Sequence, residues 1–254
     1  MFVQQKKVLV LFKIDIMKKI IVLLSFILLC SCNKTLDLST LELGSNAKKH
    51  ELESNKNLES EILKGHYEWK NINEKRTLIT VDKGEEVTNY HEINKVKNQF
   101  NYSGIPTDST WDVKIVVYKG EITEINARFA QENAFIFIEK ILKKLGHPSK
   151  ISFDTTILDS QIEKDIYLKL KKYFPKDTKR SKLPEYVDYQ LKYPRDMLWD
   201  KDKVLYIVNI ILDNRGNVSV NYRPMTKKAC KDRVLYPAPL NEEKDRIPFY
   251  EYLK

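Results

Sequence analysis

The amino-acid sequence predicts an α+β fold in which antiparallel strands and hairpins pack with two main helices. Three observations lead to this class. Several short segments are rich in β-branched residues and are joined by tight turn signals, which is typical of hairpins. Two segments, about 132–145 and 160–174, carry apolar residues at helical spacing. Because hairpin strands pair antiparallel, the order of elements favours α+β over a doubly wound parallel sheet.

The first part of the predicted body consists mainly of strands. The clearest hairpin joins 112–118 to 121–129 through the turn Lys119-Gly120, and Val113, Ile115 and Val117 lie at alternate positions of its first strand. We expect 87–93 to pair with 76–81. Segments of strand character before this hairpin lie at 62–70, 76–81 and 87–93.

Both helices have recognisable ends. The first, over 132–145, stops at Gly146, a residue type favoured just after a helix. The second, over 160–174, begins with Ser160 and Glu163, which have the spacing of a capping box, and ends before Pro175. A short strand over 151–155 is predicted between them.

The last third of the chain predicts another hairpin. Residues 204–212 form a nearly continuous apolar run, which is typical of a central strand with both faces covered. A turn over 213–217 leads into a strand over 218–222, and an aromatic tail follows. We expect one α+β domain over 61–254, with a division into subunits 61–148 and 149–254 as the alternative.

Charge and composition narrow the class of protein. The 254-residue chain carries a formal net charge of +9, but its first 31 residues hold five lysines and one aspartate, so the remainder carries +5. Charges of both signs are interspersed along that remainder, unlike the concentrated basic patch of a nucleic-acid binder. No nucleic-acid partner is therefore expected. We also expect no cofactor.

The N-terminus has the layout of a secretory signal. Met17 is followed by two lysines and by an apolar run over 20–29, and the segment closes on Ser31 and Cys32. The run is shorter than the roughly 20 residues that a spanning helix needs. We interpret 1–31 as a signal peptide with its true start at Met17.

The segment Leu29-Cys30-Ser31-Cys32 resembles the lipobox of bacterial lipoproteins. In that family the cysteine after the small residue is lipidated and becomes the mature N-terminus. The resemblance implies that Cys32 carries acyl chains, palmitate among them, and that the chain is anchored to the membrane by this N-terminal lipid. Since no aspartate follows Cys32, it also favours the outer membrane, facing the periplasm. Residues 32–60 lack aromatic residues and predict a flexible tether.

Few residues indicate a catalytic, metal or binding site. The chain has no HExxH motif, no glycine-rich phosphate loop and no GxSxG elbow, so we assign no catalytic residue. His66 and His91 would be the candidates for a metal or general-base site if their strands paired. Aromatic residues that follow the second helix are the candidates for a binding surface, and they are Tyr186, Tyr189, Tyr193 and Trp199.

These observations favour a membrane-anchored, non-enzymatic protein-binding role in the bacterial cell envelope, with an unidentified protein partner. An immunity-type lipoprotein is one specific version, and it predicts a cleft or patch lined by tyrosines. Two alternatives stay open. One is an anchored envelope hydrolase with an unrecognised active site, and the other is an envelope scaffold or assembly factor.

Overall fold

The structure, a computed structural model, describes residues 35–55, 58–64, 67–72, 75–80, 86–92, 99–158, 160–183, 189–213 and 215–232. The chain divides into two units, 1–35 and 36–254. Every described helix and strand lies in the second unit. The predicted signal peptide, Cys32, His66, Tyr186 and the C-terminal tail lie outside the described residues.

Strands dominate the described part of the second unit. The strands are β1 (Leu36–Asp37), β2 (Leu58–Lys64), β3 (Tyr67–Ile72), β4 (Lys75–Thr80), β5 (Glu86–Glu92), β6 (Phe100–Tyr102), β7 (Ile105–Pro106), β8 (Lys114–Tyr118), β9 (Glu121–Ala130), β10 (Lys150–Leu158), β11 (Lys179–Lys182), β12 (Tyr189–Lys201), β13 (Val204–Leu212) and β14 (Val218–Thr226). The helices are α1 (Glu132–Leu145), α2 (Ser160–Tyr173) and α3 (Lys227–Lys231), and short 3₁₀ helices cover Leu38–Thr40, Ala47–His50 and Leu52–Ser54.

One large antiparallel sheet organises the fold. Its strands run in the order β10-β12-β13-β14-β9-β8-β5-β2, and β11 pairs with part of β12. Two small sheets accompany it, one formed by β1, β6 and β7 and the other by β3 and β4. The fold is therefore α+β and mostly sheet, as the sequence predicts.

The locally encoded elements are found where the sequence places them. The hairpin of β8 and β9 turns at Lys119 and Gly120, both of which have positive φ. Helix α1 covers the predicted residues and ends at Gly146, whose N–H donates to the Leu142 carbonyl. Strand β13 pairs on both sides, with β12 and with β14, which confirms its central position.

Two features of the sheet differ from the predictions. Strand β5 pairs with β2 and β8, whereas β4 pairs with β3, so the expected pairing of 87–93 with 76–81 is wrong.

The long strand β12 was not predicted. It contains Pro194, and a register shift at its pairing with β10 leaves Arg195 as an extra residue. Such a bulge accommodates the proline but breaks the alternation of side chains that marks a strand in the sequence.

The central strand β13 of the main sheet carries buried residues on both faces. Alternate residues of a strand point to opposite faces, and in β13 Val208 and Ile210 belong to one apolar cluster, whereas Leu205 and Ile207 belong to another. The first cluster is covered by α1 and α2. The second, smaller cluster includes Ala229 and Cys230, which lie on or beside α3.

The predicted tether is instead part of the fold over its described residues. Leu38 and Leu52 are each 1 % exposed, and both belong to the first apolar cluster. Strand β1 pairs in parallel with β6, and the Ala47 N–H donates to the Gly120 carbonyl at 2.9 Å. The folded body therefore includes residues 36–55 and does not begin near residue 61.

The main sheet also bears on the domain boundaries. A division at 148/149 would separate β9 from β14, which are neighbours in the sheet. The body is therefore one unit across this position.

In the part of the chain that the structure describes, no helix combines the length and the apolar character that a membrane-spanning segment requires.

Candidate functional site

The best candidate site is a cavity of about 290 Å³ on the helical side of the main sheet. We call it the tyrosine cavity. Residues 38–43 form one wall, and β9, β13 and β14 form its floor. Its polar lining includes the three phenols Tyr102, Tyr206 and Tyr222 and Lys144 from the last turn of α1. Ser39, Thr40 and Glu42 of the wall complete the polar lining. Its volume is close to the lower end of ligand pockets, about 300 Å³.

An aromatic cluster fixes two of the phenols in place. Tyr102 and Tyr222 are 2 % and 3 % exposed, and their ring centroids lie 5.3 Å apart in an edge-to-face arrangement. Both also contact Phe137 edge-on, at 5.2 and 5.0 Å. Phe137 in turn stacks on Phe129 at 4.0 Å. Side chains packed in this way are held in single rotamers, so the hydroxyl groups are preorganised.

The polar groups of the cavity form a short network. The Lys144 ammonium donates a hydrogen bond to the Tyr102 hydroxyl at 3.0 Å and lies 5.4 Å from the centroid of the same ring. Burial, with a hydrogen bond to Tyr102, raises the pKa of Tyr222 well above its ordinary value. Burial also raises the pKa of Tyr206, although the charge of Lys144 opposes this. The phenols of Tyr206 and Tyr222 therefore stay protonated at neutral pH.

Asp37 holds the wall of the cavity against β6. Its carboxylate accepts hydrogen bonds from the Ser39 N–H at 2.9 Å and from the Ser103 N–H at 2.7 Å. Burial opposes ionisation, but these bonds to Ser103 and Ser39 outweigh it and lower the pKa of Asp37. Asp37 thus caps the first 3₁₀ helix and ties the segment 38–43 to the residue that follows Tyr102.

A second cavity, of about 370 Å³, lies between the second 3₁₀ helix and the β5–β8 pair. Its lining contains Lys48, Lys119, Glu53 and Glu86, so positive and negative groups offset each other. Its buried polar group is Tyr90, whose pKa is raised by burial and by the charge of Glu53. The second cavity therefore does not bring together several hydrogen-bond donors of one kind, and we favour the tyrosine cavity as the candidate site.

The aromatic residues predicted as a binding surface do not form one. Tyr193 and Trp199 are 2 % and 1 % exposed and belong to the first apolar cluster, so these two candidates are corrected to core residues. The Trp199 indole N–H donates to the Gly146 carbonyl at 2.8 Å. Tyr189 is partly exposed, and the Arg180 guanidinium lies 3.7 Å from its ring centroid. Tyr186 lies outside the described residues.

The structure does not bring His91 together with other groups that could form a metal or general-base site among the described residues. His91 faces Glu59 across the β2–β5 pair, with 3.8 Å between the imidazole Nε2 and the carboxylate, on an accessible surface. Its strand does not pair with β3, which follows His66 in the chain. Among the described residues, no group of three His, Cys, Asp or Glu side chains is placed to hold a metal ion.

One serine and one histidine do meet. The Ser45 hydroxyl and His50 Nε2 are 2.8 Å apart, and the same hydroxyl donates to the Glu42 carbonyl at 2.6 Å. A hydroxyl has one hydrogen to donate. Because Ser45 gives it to Glu42, His50 Nε2 must donate to Ser45, whereas a general base must accept the proton. The pair is therefore arranged for structure and not for nucleophilic attack.

Cys230 is equally unsuited to chemistry. It is a free thiol, 2 % exposed, in the second apolar cluster. Burial and the nearby charge of Glu124 raise its pKa to about 12. A thiol needs a lowered pKa and access to solvent in order to react, so Cys230 is a core residue.

The tyrosine cavity was not predicted from the sequence. Tyr206 and Tyr222 lie on predicted strands, but their convergence depends on the register that pairs Val208 with Tyr222. Tyr102 lies on the short strand β6, which was not predicted. The alternation that places 204, 206 and 208 on one face was available as a signal, although it does not indicate which strand lies beside it.

Comparison of the chain with models of known protein families, with curated proteins and with solved structures finds no match. The site is therefore interpreted from its own geometry.

Proposed function

We propose that the protein is a membrane-anchored lipoprotein whose α+β domain binds a partner in the bacterial cell envelope and catalyses no reaction. The observation that carries the binding role is the tyrosine cavity. Tyrosine is favoured at recognition sites because it buries a large apolar ring and still offers a hydroxyl. The candidate binding residues thereby change from Tyr186, Tyr189, Tyr193 and Trp199 to Tyr102, Tyr206 and Tyr222.

The protonation of the cavity favours binding over catalysis. The raised pKa values of Tyr206 and Tyr222 keep both hydroxyls neutral near pH 7. Neither phenol is therefore ionised to act as a general base near that pH. The cavity thus offers fixed hydrogen-bond donors and apolar walls, which are the components of a recognition site.

The anchor in this proposal is the lipid on Cys32. Cys32 lies four positions before Leu36, the first residue of β1.

The anchor is tested by metabolic labelling with a palmitate analogue in a bacterial host. We expect wild type and Cys30→Ala to incorporate the label and to fractionate with membranes. Cys32→Ala should incorporate none. Cys30→Ala is the matched control because it changes the neighbouring thiol of the same segment. Label retained in Cys32→Ala would refute lipidation at this residue.

The binding role is tested by affinity purification of the membrane-extracted protein with quantitative mass spectrometry. We expect one protein recovered in stoichiometric amount with wild type and depleted from Cys32→Ala. A protein that is purified without a partner, and that hydrolyses cell-envelope polymers, would refute the proposal in favour of the anchored hydrolase. A scaffold would instead recover several envelope proteins together.

A further inference from the structure

We propose that the tyrosine cavity binds a carboxylate that carries a short aliphatic group. This inference deepens the proposed binding function and rests on the same site. The carboxylate would lie against the Tyr102 hydroxyl and the Lys144 ammonium, and the aliphatic group would lie against the apolar side chains of the cavity wall. The ligand is either a small free acid or the C-terminal residue of a peptide, since both present this chemistry.

The first argument is an excess of hydrogen-bond donors. The Tyr102 hydroxyl accepts a hydrogen bond from the Lys144 ammonium and is also hydrogen-bonded to Tyr222. One of these two phenolic protons is used between them, and the other is left for another acceptor. Lys144 has two further N–H groups, and Tyr206 adds a third phenol to the same lining. An oxyanion supplies several acceptor positions in a small volume and matches this set.

The second argument is charge. Lys144 makes no ion pair with any carboxylate among the residues that the structure describes. By contrast, its neighbour Lys143 pairs with Glu139 at 2.7 Å. Glu42 also lines the cavity, but its side chain is exposed and it makes no ion pair with Lys144. A ligand carboxylate would pair with Lys144 as Glu139 pairs with Lys143.

The third argument is the apolar character of part of the lining and the volume of the cavity. Leu38 and Leu41 on the wall and Ile125 on the floor are buried side chains of the cavity. A volume of about 290 Å³ holds roughly ten water-sized groups, because each water occupies about 30 Å³ in the liquid. A carboxylate with a chain of four to six carbons, or a terminal leucine, is of this size.

The test is isothermal titration calorimetry with the full-length protein in detergent micelles. The probes are hexanoate, acetyl-Ala-Ala-Leu with a free C-terminus, and the same peptide as its C-terminal amide. We expect at least one acid to bind and the amide to bind at least about tenfold more weakly, the effect of losing one hydrogen bond to a charged group.

Lys144→Met and Tyr102→Phe test the two donors, and Lys143→Met is the matched control. Lys143 lies in the same helical turn and is 75 % exposed, so its loss should leave affinity unchanged. Lys144→Met should weaken binding of the acid about tenfold or more. The inference is overturned if neither acid binds to folded wild type, if acid and amide bind equally, or if Lys144→Met and Lys143→Met behave alike.

The probes also separate the two sources of the carboxylate. Hexanoate that binds as tightly as the peptide acid indicates a small free acid, and a clear preference for the peptide indicates the C-terminus of a protein. Failure of this inference is distinct from failure of the proposed function. If Lys144→Met still captures a stoichiometric partner, the proposed binding function stands and the carboxylate inference fails. If an acid binds but no partner is recovered, the carboxylate inference stands and the proposed protein-binding function fails.

Discussion

Leu38→Ala is the substitution that most directly tests whether the N-terminal segment belongs to the folded body. Leu38 is 1 % exposed, lies in the first apolar cluster and lines the tyrosine cavity. The sequence alone places it in a flexible tether, where its truncation would have no effect on stability. The structure places it in the core, where the same truncation removes a buried side chain.

The expected loss can be estimated from the burial. Replacing leucine by alanine removes three carbon atoms, each worth about 0.8 kcal/mol when fully buried, or about 2.4 kcal/mol. The space left behind adds a further cost, because the surrounding side chains relax only partly. We expect the free energy of unfolding to fall by about 3 kcal/mol, within the range of 2–5 kcal/mol that is typical of such changes.

The assay is urea unfolding of the full-length chain, followed by tryptophan fluorescence. Leu168→Ala is the matched control, since Leu168 is the same residue type on α2 but is 56 % exposed. We expect the control to change stability by about 0.5 kcal/mol or less. If Leu38→Ala changed the unfolding midpoint no more than Leu168→Ala, residues 36–55 would lie outside the cooperative unit and the cavity would lose its wall.

Three further predictions address other parts of the fold. The Glu124 side chain is 3 % exposed, and its carboxylate accepts a hydrogen bond from the Arg223 guanidinium at 2.5 Å. Glu124→Ala should lower the free energy of unfolding in urea by about 3 kcal/mol, because it removes the buried carboxylate of this ion pair. An equal loss in the control Glu121→Ala, whose side chain is 43 % exposed, would contradict this. Burial and the nearby charge of Glu124 raise the pKa of Cys230 to about 12. Iodoacetamide should therefore label the Cys230 thiol at pH 8 about a hundredfold more slowly in the folded chain than in urea. Similar labelling rates in the two states would contradict the burial of this thiol. Asp37 has a lowered pKa in the folded chain, so its contribution to stability is present above the ordinary value of 3.8 and is lost as the pH falls through the lower folded value. Asp37→Asn should therefore reduce the acid-side fall in unfolding free energy, and an unchanged pH profile would show that Asp37 does not contribute.

The elements that the sequence predicts correctly are those whose signals are local. Helix α1 carries its apolar stripe and its terminal glycine within one segment of the chain. The hairpin of β8 and β9 contains its own turn, with Gly120 at positive φ. In these cases the residues that determine the structure are neighbours in sequence, so no knowledge of the remaining fold is needed.

The elements that the sequence misses depend on distant partners. Strand β12 contains Pro194 beside a bulge, and its alternation is interrupted there. Its length follows from pairing with β10, β11 and β13, which lie on either side of it in sequence. The segment 36–55 was misjudged because it lacks aromatic residues, yet Leu38 and Leu52 belong to an apolar cluster that also includes residues more than 40 positions later, such as Tyr102.

The choice of tyrosine over phenylalanine is the strongest reason to regard the cavity as functional. Phe129 and Phe137 show that this face of the sheet accepts plain aromatic rings, and they pack against the same cluster as Tyr102 and Tyr222. A buried hydroxyl adds a desolvation cost that phenylalanine avoids, and a hydrogen bond only offsets it. Packing alone would therefore favour phenylalanine at 102 and 222. Hydroxyl groups that converge on the lining of a cavity, beside Lys144, are explained if a ligand accepts their hydrogen bonds.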